Sequence, residues 1–490
     1  MTDDPSPERQ GSLPDGEGLP GLLAECVATA RSAVSSLHPR RLVIGLLAVL
    51  VIVQIGSLHD RVAGPRFGPG GLLADDPEAD REAAVARWRT RLAVDRPETD
   101  LPDADPLRRE AIGVAFDAET ASPWELLEEA RRRLVERGES EGDAADGDLE
   151  RFLELLEDRP RGTFECVVQT VGGAFGEFCR GVVTADPRRA VEQLAAIVVA
   201  VPSAIWRHDR MFLLSVGLPS VLLSCLLGGM LARMAACRFA RRQWLTLAES
   251  ADFGFASWRR LLSAPLLPLA AALVPLGVVA LLGLLLAIPI VELLAGALFG
   301  VPMILGLVSA ILLLGLAVGW PLIVPAVACE DADAADCLQR AYAYPFNRFG
   351  RFLVLIAAAL VGLVLAVAVL DAVVLTTFAM VHLATSGTAP DWVGTLLGDR
   401  AWLRFGAGPP ATVFAVEGWA VDAVATWTTL ARMLVGGLVF AWIFDAGVRI
   451  HLFLRRAVDR IRPEEIAESP GRPPRPERIR EAIEAARRAE

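Results

Sequence analysis

The side chains best suited to chemistry are ionisable residues within long apolar runs. Asp445 and Arg449 lie in the last such run, four positions apart. Residues at that spacing share one helix face, so the two can form an ion pair. A buried ionisable pair in a membrane span is typical of an ion or solute pathway, although Arg449 could instead extend toward the inner membrane surface. This pair is the strongest candidate for transport chemistry in the chain.

A second group of candidates lies in the polar stretch 319–351, between two apolar runs. Its acidic start and basic end suit the dipole of a short helix, which Pro345 is predicted to stop. The stretch permits two interpretations: a membrane-surface element that binds a partner or lipid head groups, or a capped connector between two spans, which is favoured. The candidate functional residues here are Glu330, Asp331, Arg340, Tyr342, Tyr344 and Arg348.

No catalytic, cofactor-binding or metal-binding constellation is predicted. The seven cysteines contain no CxxC pair and the five histidines are far apart in the sequence, whereas a structural zinc site normally has closely spaced ligands. Cys166 and Cys179 permit either a disulfide on an extracytoplasmic face or two unpaired thiols in apolar faces, and the second is favoured. We therefore expect no cofactor and no enzymatic activity.

Composition predicts a membrane protein. Of the 490 residues, 53% are hydrophobic, and several apolar runs reach the roughly 20 residues needed to cross a bilayer. The net charge is −11, and residues 60–159 alone contain 27 acidic and 15 basic residues. This acidic segment makes nucleic acid an improbable partner, and we predict none. The expected partners are the lipid bilayer and membrane or envelope proteins.

The predicted fold class is all-α: a polytopic membrane protein with about six transmembrane helices, interfacial helices and a small acidic helical segment. The predicted spans are 42–58, 211–235, 265–288, 303–328, 352–376 and 429–454. The predicted segments are a flexible cytoplasmic tail (1–41), a signal anchor (42–58), an acidic, partly helical extramembrane segment (59–160), interfacial amphipathic helices (161–210), a five-span membrane domain (211–454) and a charged cytoplasmic tail (455–490).

Arginine placement predicts the topology. Arg40 and Arg41 precede the first span, which favours a cytoplasmic N-terminus by the positive-inside rule. Six spans then place both termini in the cytoplasm of a bacterial inner membrane. Residues 189–206 are interpreted as interfacial because Glu192 and Pro202 interrupt the run. If that segment spans instead, the acidic segment changes sides relative to the rest of the chain.

Prolines and glycines predict local geometry in the spans. Pro321 and Pro325 should kink the run that ends at Cys329, while prolines 265, 268 and 275 should break the start of the span before it. Gly315 and Gly319 form a GxxxG pair, which permits close approach of a neighbouring helix. Helices are also predicted at 77–94, 123–137, 149–158, 291–299 and 476–489.

The run GLAVGWPLIVPAVACEDADAADCLQRAYAYPFNRFGRF resembles a family of uncharacterised bacterial multi-pass membrane proteins of planctomycete-type genomes. Segments 238–269 and 451–466 are similar to matching parts of that family, so the resemblance covers about residues 160–466. A looser likeness extends to the membrane domain of some glycerophosphodiester phosphodiesterases. Three positions depart from the family pattern, namely Asp331, Ala341 and Asp459–Arg460. The resemblance implies the fold and no particular activity.

Three functions remain open. The favoured one is a non-catalytic membrane protein that organises partners or lipids through its surface helices. A transporter or channel-like protein would use proline-broken spans and the Asp445–Arg449 pair. A lipid-acting membrane enzyme would depend on the acidic cluster that begins at Glu330.

Overall fold

The chain folds as an all-α protein in the computed structural model, which describes residues 19–64, 66–74, 76–84, 161–241, 243–285, 296, 298–330, 332–385 and 418–466. Within those ranges no β-strand forms, and Phe67 pairs with Arg161 in a single isolated bridge. The predicted helices at 123–137, 149–158 and 476–489 lie outside the described residues, as does nearly all of 291–299. Of the predicted helix 77–94, residues 77–84 are described and are helical.

Twelve helices are named here in chain order. They are α1 (Leu19–Ala30), α2 (Ser32–Ser36), α3 (Pro39–Ala63), α4 (Thr163–Val183), α5 (Pro187–His208), α6 (Arg210–Arg241), α7 (Leu247–Ala256), α8 (Trp258–Leu285), α9 (Gly300–Cys329), α10 (Ala334–Asn347), α11 (Phe349–Thr385) and α12 (Gly418–Asp459). Helices α5 and α6 each contain one π turn, at Ala196–Ala200 and Leu213–Gly217.

Six of these helices are long and apolar enough to cross a membrane: α3, α5, α6, α8, α11 and the Met433–Asp459 part of α12. Helix α9 passes the same test as a bent pair, which raises the number to seven. Each of the six predicted spans coincides with one of these helices, so the chain is a multi-pass helical membrane protein. Helix α5 is a candidate span that was not predicted. It qualifies by length and composition, whereas the sequence suggested an interfacial helix.

Prolines act differently in α8 and α9. Helix α9 bends by 62° between Gly300–Leu316 and Gly319–Cys329. This is the predicted kink: Pro321 donates no backbone hydrogen bond and its ring crowds the preceding turn. In α8, however, all three prolines lie inside one continuous helix that begins at Trp258. The predicted break at the start of that span is wrong, since apolar helices in a membrane tolerate proline when neighbours satisfy the freed carbonyls.

The chain divides into two compact units. Unit 1 comprises residues 1–48, 221–366 and 436–490, and unit 2 comprises 49–220 and 367–435. In unit 1 the helices approach so closely that glycine is required at the contacts. A Cβ on Gly45 of α3 would lie 2.2 Å from the carbonyl oxygen of Gly437 in α12, and one on Gly447 would lie 2.2 Å from that of Pro321 in α9.

The N-terminal helices α1 and α2 are packed into unit 1, which differs from the flexible tail predicted for residues 1–41. Glu25 of α1 is 1% exposed and forms an ion pair with Arg351 of α11. Gly362 of α11 allows the backbone of Ala30 to approach closely. The arginine that pairs with Glu25 lies 326 positions away in the sequence, so no local pattern predicts this packing. Residues 1–18 lie outside the described part.

Unit 2 is built on the hairpin of α4 and α5. Asp186 caps α5 by accepting a hydrogen bond from the backbone N–H of Arg189 at 3.2 Å, with Pro187 in the first helical position. Helix α4 is not among the candidate spans, in agreement with its predicted amphipathic character. Its two cysteines, Cys166 and Cys179, are not joined by a disulfide.

Candidate functional site

The predicted pair in α12 forms, and it includes a third residue. Arg449 donates a hydrogen bond from Nη2 to Asp445 Oδ2 at 3.1 Å. Arg41 of α3 places its Nη1 atom 3.1 Å from Asp445 Oδ1. One carboxylate therefore lies between two guanidinium groups, and Asp445 and Arg41 are each 1% exposed. We call this the Asp445 cluster.

Backbone carbonyl groups complete the Asp445 cluster. Arg41 donates to the carbonyl of Met234 in α6 at 3.3 Å. Arg449 donates to the carbonyl of Ala28 in α1, and its guanidinium lies 5.3 Å from the centre of the Phe239 ring. Arg449 therefore does not extend toward the membrane surface, which is the alternative that the sequence left open. The cluster instead ties α1, α3 and α6 to α12.

A second buried polar group centres on Glu330, the residue that caps the C-terminus of α9. Its Oε1 atom lies 2.9 Å from Nε2 of His451 in α12, and its Oε2 atom accepts a hydrogen bond from Arg340 in α10. Glu330 is 7% exposed and His451 is fully buried. We call Glu330, Arg340, Tyr344, His451 and Asp459 the Glu330 cluster.

The electrostatics keep Glu330 ionised. Burial disfavours the charged carboxylate, but the hydrogen bond from His451 and the charges of His451, Arg340 and Arg455 outweigh burial and lower the pKa of Glu330 below its ordinary 4.5. The carboxylate is thus committed to neighbours inside the protein. A group held in this way has little capacity left for an external ligand.

The two tyrosines have different partners. Tyr344 is buried, donates its hydroxyl hydrogen to the Asp459 carboxylate and packs its ring 5.5 Å from that of His451. Burial, followed by this bond to Asp459, raises the pKa of Tyr344 far above its ordinary range. The Tyr342 side chain, which also comes from α10, packs against α9 instead. Its hydroxyl donates a hydrogen bond to the Leu312 carbonyl at 3.3 Å.

Gly315 and Gly319 explain the position of Tyr342. A Cβ on either glycine would lie 2.9 Å from the Tyr342 ring. The predicted close approach at this GxxxG pair is therefore present, with a tyrosine ring as the neighbouring group. Placing the ring there brings α10 against the bent part of α9.

Helix α10 begins and ends later than the sequence suggested. Its N-cap residue is Asp333, whereas Glu330 belongs to the end of α9. Pro345 does not stop the helix, which continues to Asn347, and the backbone N–H of Arg348 bonds to the Tyr344 carbonyl at 3.2 Å. A proline in the last turn removes only its own N–H, so one further turn can close around it.

The remaining predicted residues do not join either cluster. Arg348 is exposed just beyond α10, and Phe346 and Phe349, its near neighbours in the sequence, are exposed as well. Asp333 and Asp336 are also exposed, so the acidic residues of this stretch do not converge on Glu330. Asp331 lies outside the described residues.

An exposed arginine in contact with an exposed aromatic ring occurs at the start of α8. Arg259 lies 5.5 Å from the centre of the Trp258 ring, and both side chains are exposed. Helix α8 packs near α10 in the same unit, and Arg260 donates to the Ala332 carbonyl at 3.4 Å. Aromatic rings next to arginine are typical of the membrane–water interface.

Comparisons with protein-family models, with curated proteins and with solved structures give no match. The resemblance to a bacterial multi-pass family therefore stays a prediction.

Several members of the two clusters were missed by sequence reasoning. Arg41 was read as a flanking charge, His451 as a neighbour of Asp445, and Asp459 as part of the tail. Each of these pairs joins residues more than 100 positions apart in the sequence. Tyr344 and Asp459, for example, are separated by 115 positions. Ionisable residues inside or beside apolar runs were the available signal, because such groups require partners.

Proposed function

We propose that the protein is an integral membrane protein whose unit 1 has a non-catalytic role, the organisation of anionic lipids. The main support is that the buried charged residues of unit 1 have partners inside the protein, whereas two of its exposed arginines face outward. Buried charges in the Asp445 and Glu330 clusters pair with one another. Arg259, in contrast, lies exposed against the Trp258 ring, and Arg348 is exposed in a stretch that also exposes Phe346 and Phe349. Charges of the first kind hold helices together, and those of the second kind can contact phosphate groups.

The exposed pairs match the chemistry of a phospholipid surface. The rings of Trp258, Phe346 and Phe349 are about half exposed, at 48%, 57% and 51%. Such rings favour the boundary between head groups and acyl chains, where an adjacent guanidinium can form paired hydrogen bonds with a phosphate. Each arginine near an anionic bilayer surface contributes about 1 kcal/mol of attraction.

A transport role receives less support from the same contacts. A solute pathway needs an ionisable group that water or solute can reach, but Asp445 is 1% exposed and its carboxylate lies between Arg41 and Arg449. A lipid-acting enzyme built on the acidic stretch is also disfavoured, because Asp333 and Asp336 lie apart from Glu330 on the surface.

Lipid retention tests the proposal. The protein would be purified in mild detergent from membranes containing phosphatidylglycerol and phosphatidylethanolamine, and its retained lipids would be counted by native mass spectrometry. We expect enrichment of phosphatidylglycerol in the wild type and its loss in the double variant Arg259→Gln/Arg348→Gln. Equal retention of both lipids, or unchanged enrichment in the double variant, would reject the proposal.

Arg188→Gln is the matched control. Arg188 is an exposed arginine of unit 2 whose Nε atom lies 2.8 Å from Glu192, and no ring contact of its side chain is found among the described residues. Its substitution removes the same charge without touching the arginine–aromatic pairs. Phosphatidylglycerol enrichment should survive this change.

A further inference from the structure

Unit 2 contains a serine, a histidine and an aspartate in hydrogen-bonded order. Ser215 Oγ lies 2.7 Å from Nδ1 of His59, and Nε2 of the same ring lies 3.1 Å from Asp209 Oδ2. His59 lies near the end of α3, 150 and 156 residues before the other two. Asp209 lies between α5 and α6, and Ser215 lies six residues after it, near the start of α6. They use both nitrogens of one imidazole, as a nucleophile, a base and an orienting carboxylate must.

Asp209 is held rigidly in its place. It is 1% exposed, and its Oδ2 atom also accepts a hydrogen bond from Thr163 Oγ1 at 2.7 Å. Its Oδ1 atom lies 3.1 Å from Arg66 Nη1 and accepts a bond from the backbone N–H of Phe212 at 3.2 Å. Burial opposes ionisation, but the bonds from Thr163 and His59 and the charge of Arg66 outweigh it and lower the pKa of Asp209.

An ionised Asp209 fixes the tautomer of a neutral His59. A carboxylate only accepts hydrogen bonds, so Nε2 of His59 must carry the hydrogen and Nδ1 must present its lone pair. That lone pair faces Ser215 Oγ, whose single hydrogen has two acceptors, His59 Nδ1 at 2.7 Å and the Met211 carbonyl at 3.0 Å. Donation to Nδ1 gives the arrangement that a nucleophile and its base require. The ring itself is fixed by Phe212, whose ring packs edge-on at 5.2 Å.

Ser215 differs from its two partners in being exposed. It lies in the π turn Leu213–Gly217 near the start of α6, and the neighbouring Met211 and Leu214 are 65% and 63% exposed. Single π turns inside α-helices are frequent at functional sites. His59 lies in the last turns of α3 and Ser215 in the first turns of α6, both candidate spans, which places the serine at the level of a membrane surface.

We propose that Ser215 is the nucleophile of an acyl-transfer site for carboxylic esters of amphiphiles at the membrane surface. His59 serves as the base and Asp209 as a positioning residue. This activity belongs to unit 2 and is independent of the lipid-organising role proposed for unit 1. The apolar exposed neighbours of Ser215 suit the hydrocarbon part of such an ester.

The reaction balances with water as the second reactant. Ser215 Oγ bonds to the ester carbonyl carbon while its proton passes to Nδ1 of His59. The carbon–oxygen bond to the leaving alcohol then breaks, and that alcohol takes the proton from His59, leaving an acyl-serine. Water next attacks the acyl carbon, gives a proton to His59, and releases the carboxylic acid as Ser215 recovers its proton.

A fluorophosphonate probe tests the proposal on the full-length protein in detergent. Phosphonylation of the folded wild type should map by peptide mass spectrometry to Ser215, and p-nitrophenyl butyrate should be hydrolysed. Ser215→Ala should lose both signals, and His59→Gln should slow labelling by about 100-fold or more, the usual range for loss of a general base. Ser203→Ala is the matched control, since Ser203 is exposed in the same unit and bonds only to the Ala200 carbonyl among the described residues.

A structural role of the same residues would give a different pattern. Asp209→Asn should slow labelling and Asp209→Glu should restore part of it, at equal helix content by circular dichroism. No labelling of Ser215 in the folded wild type, or equal labelling of wild type and Ser215→Ala, would overturn the proposal. These outcomes do not depend on lipid retention, so this proposal and the one for unit 1 can fail separately.

Discussion

Glu330 and His451 are 121 residues apart in the sequence, yet their side chains meet at 2.9 Å in the interior of unit 1. The contact joins the end of α9 to α12, and Arg340 extends it to α10. Because Glu330 stays ionised in this position, its stabilising effect must depend on pH.

The Glu330 cluster should lose its stabilising effect in acid. A carboxylate with a lowered pKa stabilises the folded state above its unfolded pKa, here near 4.5, and this stabilisation disappears as the pH falls through the lower folded value. We therefore expect the wild type to melt well above Glu330→Gln at pH 7, with the difference shrinking below pH 4.5. Thermal unfolding of both proteins in detergent across that pH range measures it. A difference that stays constant with pH would contradict the assignment.

Removal of Asp445 should destabilise the protein strongly. Asp445→Ala leaves the guanidinium groups of Arg41 and Arg449 buried without their carboxylate, and loss of one partner from a buried ion pair costs about 3–5 kcal/mol. A large fall in the melting temperature is expected. Glu192→Ala, which breaks an exposed ion pair with Arg188, should leave the melting temperature nearly unchanged. Similar effects of the two changes would argue against a structural Asp445 cluster.

Glycine at position 45 should be essential for helix packing. In Gly45→Ala the new methyl group would lie 2.2 Å from the Gly437 carbonyl oxygen, so α3 and α12 must separate, at a cost of about 1–3 kcal/mol. Gly277→Ala is the control, because a Cβ there meets nothing within 4 Å and alanine favours the helix. The first change should lower the melting temperature and the second should not. An equal response would show that the α3–α12 contact is looser than described.

The Tyr344–Asp459 bond should appear as a coupling between the two residues. Tyr344→Phe and Asp459→Ala each remove it, so the double variant should be more stable than the sum of the single effects implies, by about 1 kcal/mol. Pairing Tyr342→Phe with Asp459→Ala is the control, since Tyr342 bonds to the Leu312 carbonyl instead. Additive effects in the first cycle would exclude the bond.

The sequence predicted the fold class, all six of its proposed spans and the Asp445–Arg449 pair, because apolar length and the i, i+4 spacing are local properties. It also predicted the kink at Pro321 and the close approach at Gly315 and Gly319. It did not predict the continuous helix through the prolines of α8, or the burial of Glu25 against Arg351. Those features depend on neighbouring helices, which no local pattern specifies.

The candidate site was predicted only in part for the same reason. Glu330, Arg340 and Tyr344 were recognised as a group because they lie within one stretch of chain. Their partners His451 and Asp459 come from α12, and Arg41 reaches Asp445 from α3. Asp209 and Ser215 lie six residues apart, but His59 comes from 150 residues before Asp209, and only the fold brings it to them.

Lipid-dependent thermal stability shows whether Arg259 and Arg348 bind anionic lipid. A lipid that binds only the folded protein raises its melting temperature. Added phosphatidylglycerol should stabilise the wild type more than phosphatidylcholine does, and the double variant Arg259→Gln/Arg348→Gln should respond equally to both. A wild type that responds equally to both lipids, or a double variant that keeps the preference, would contradict the account.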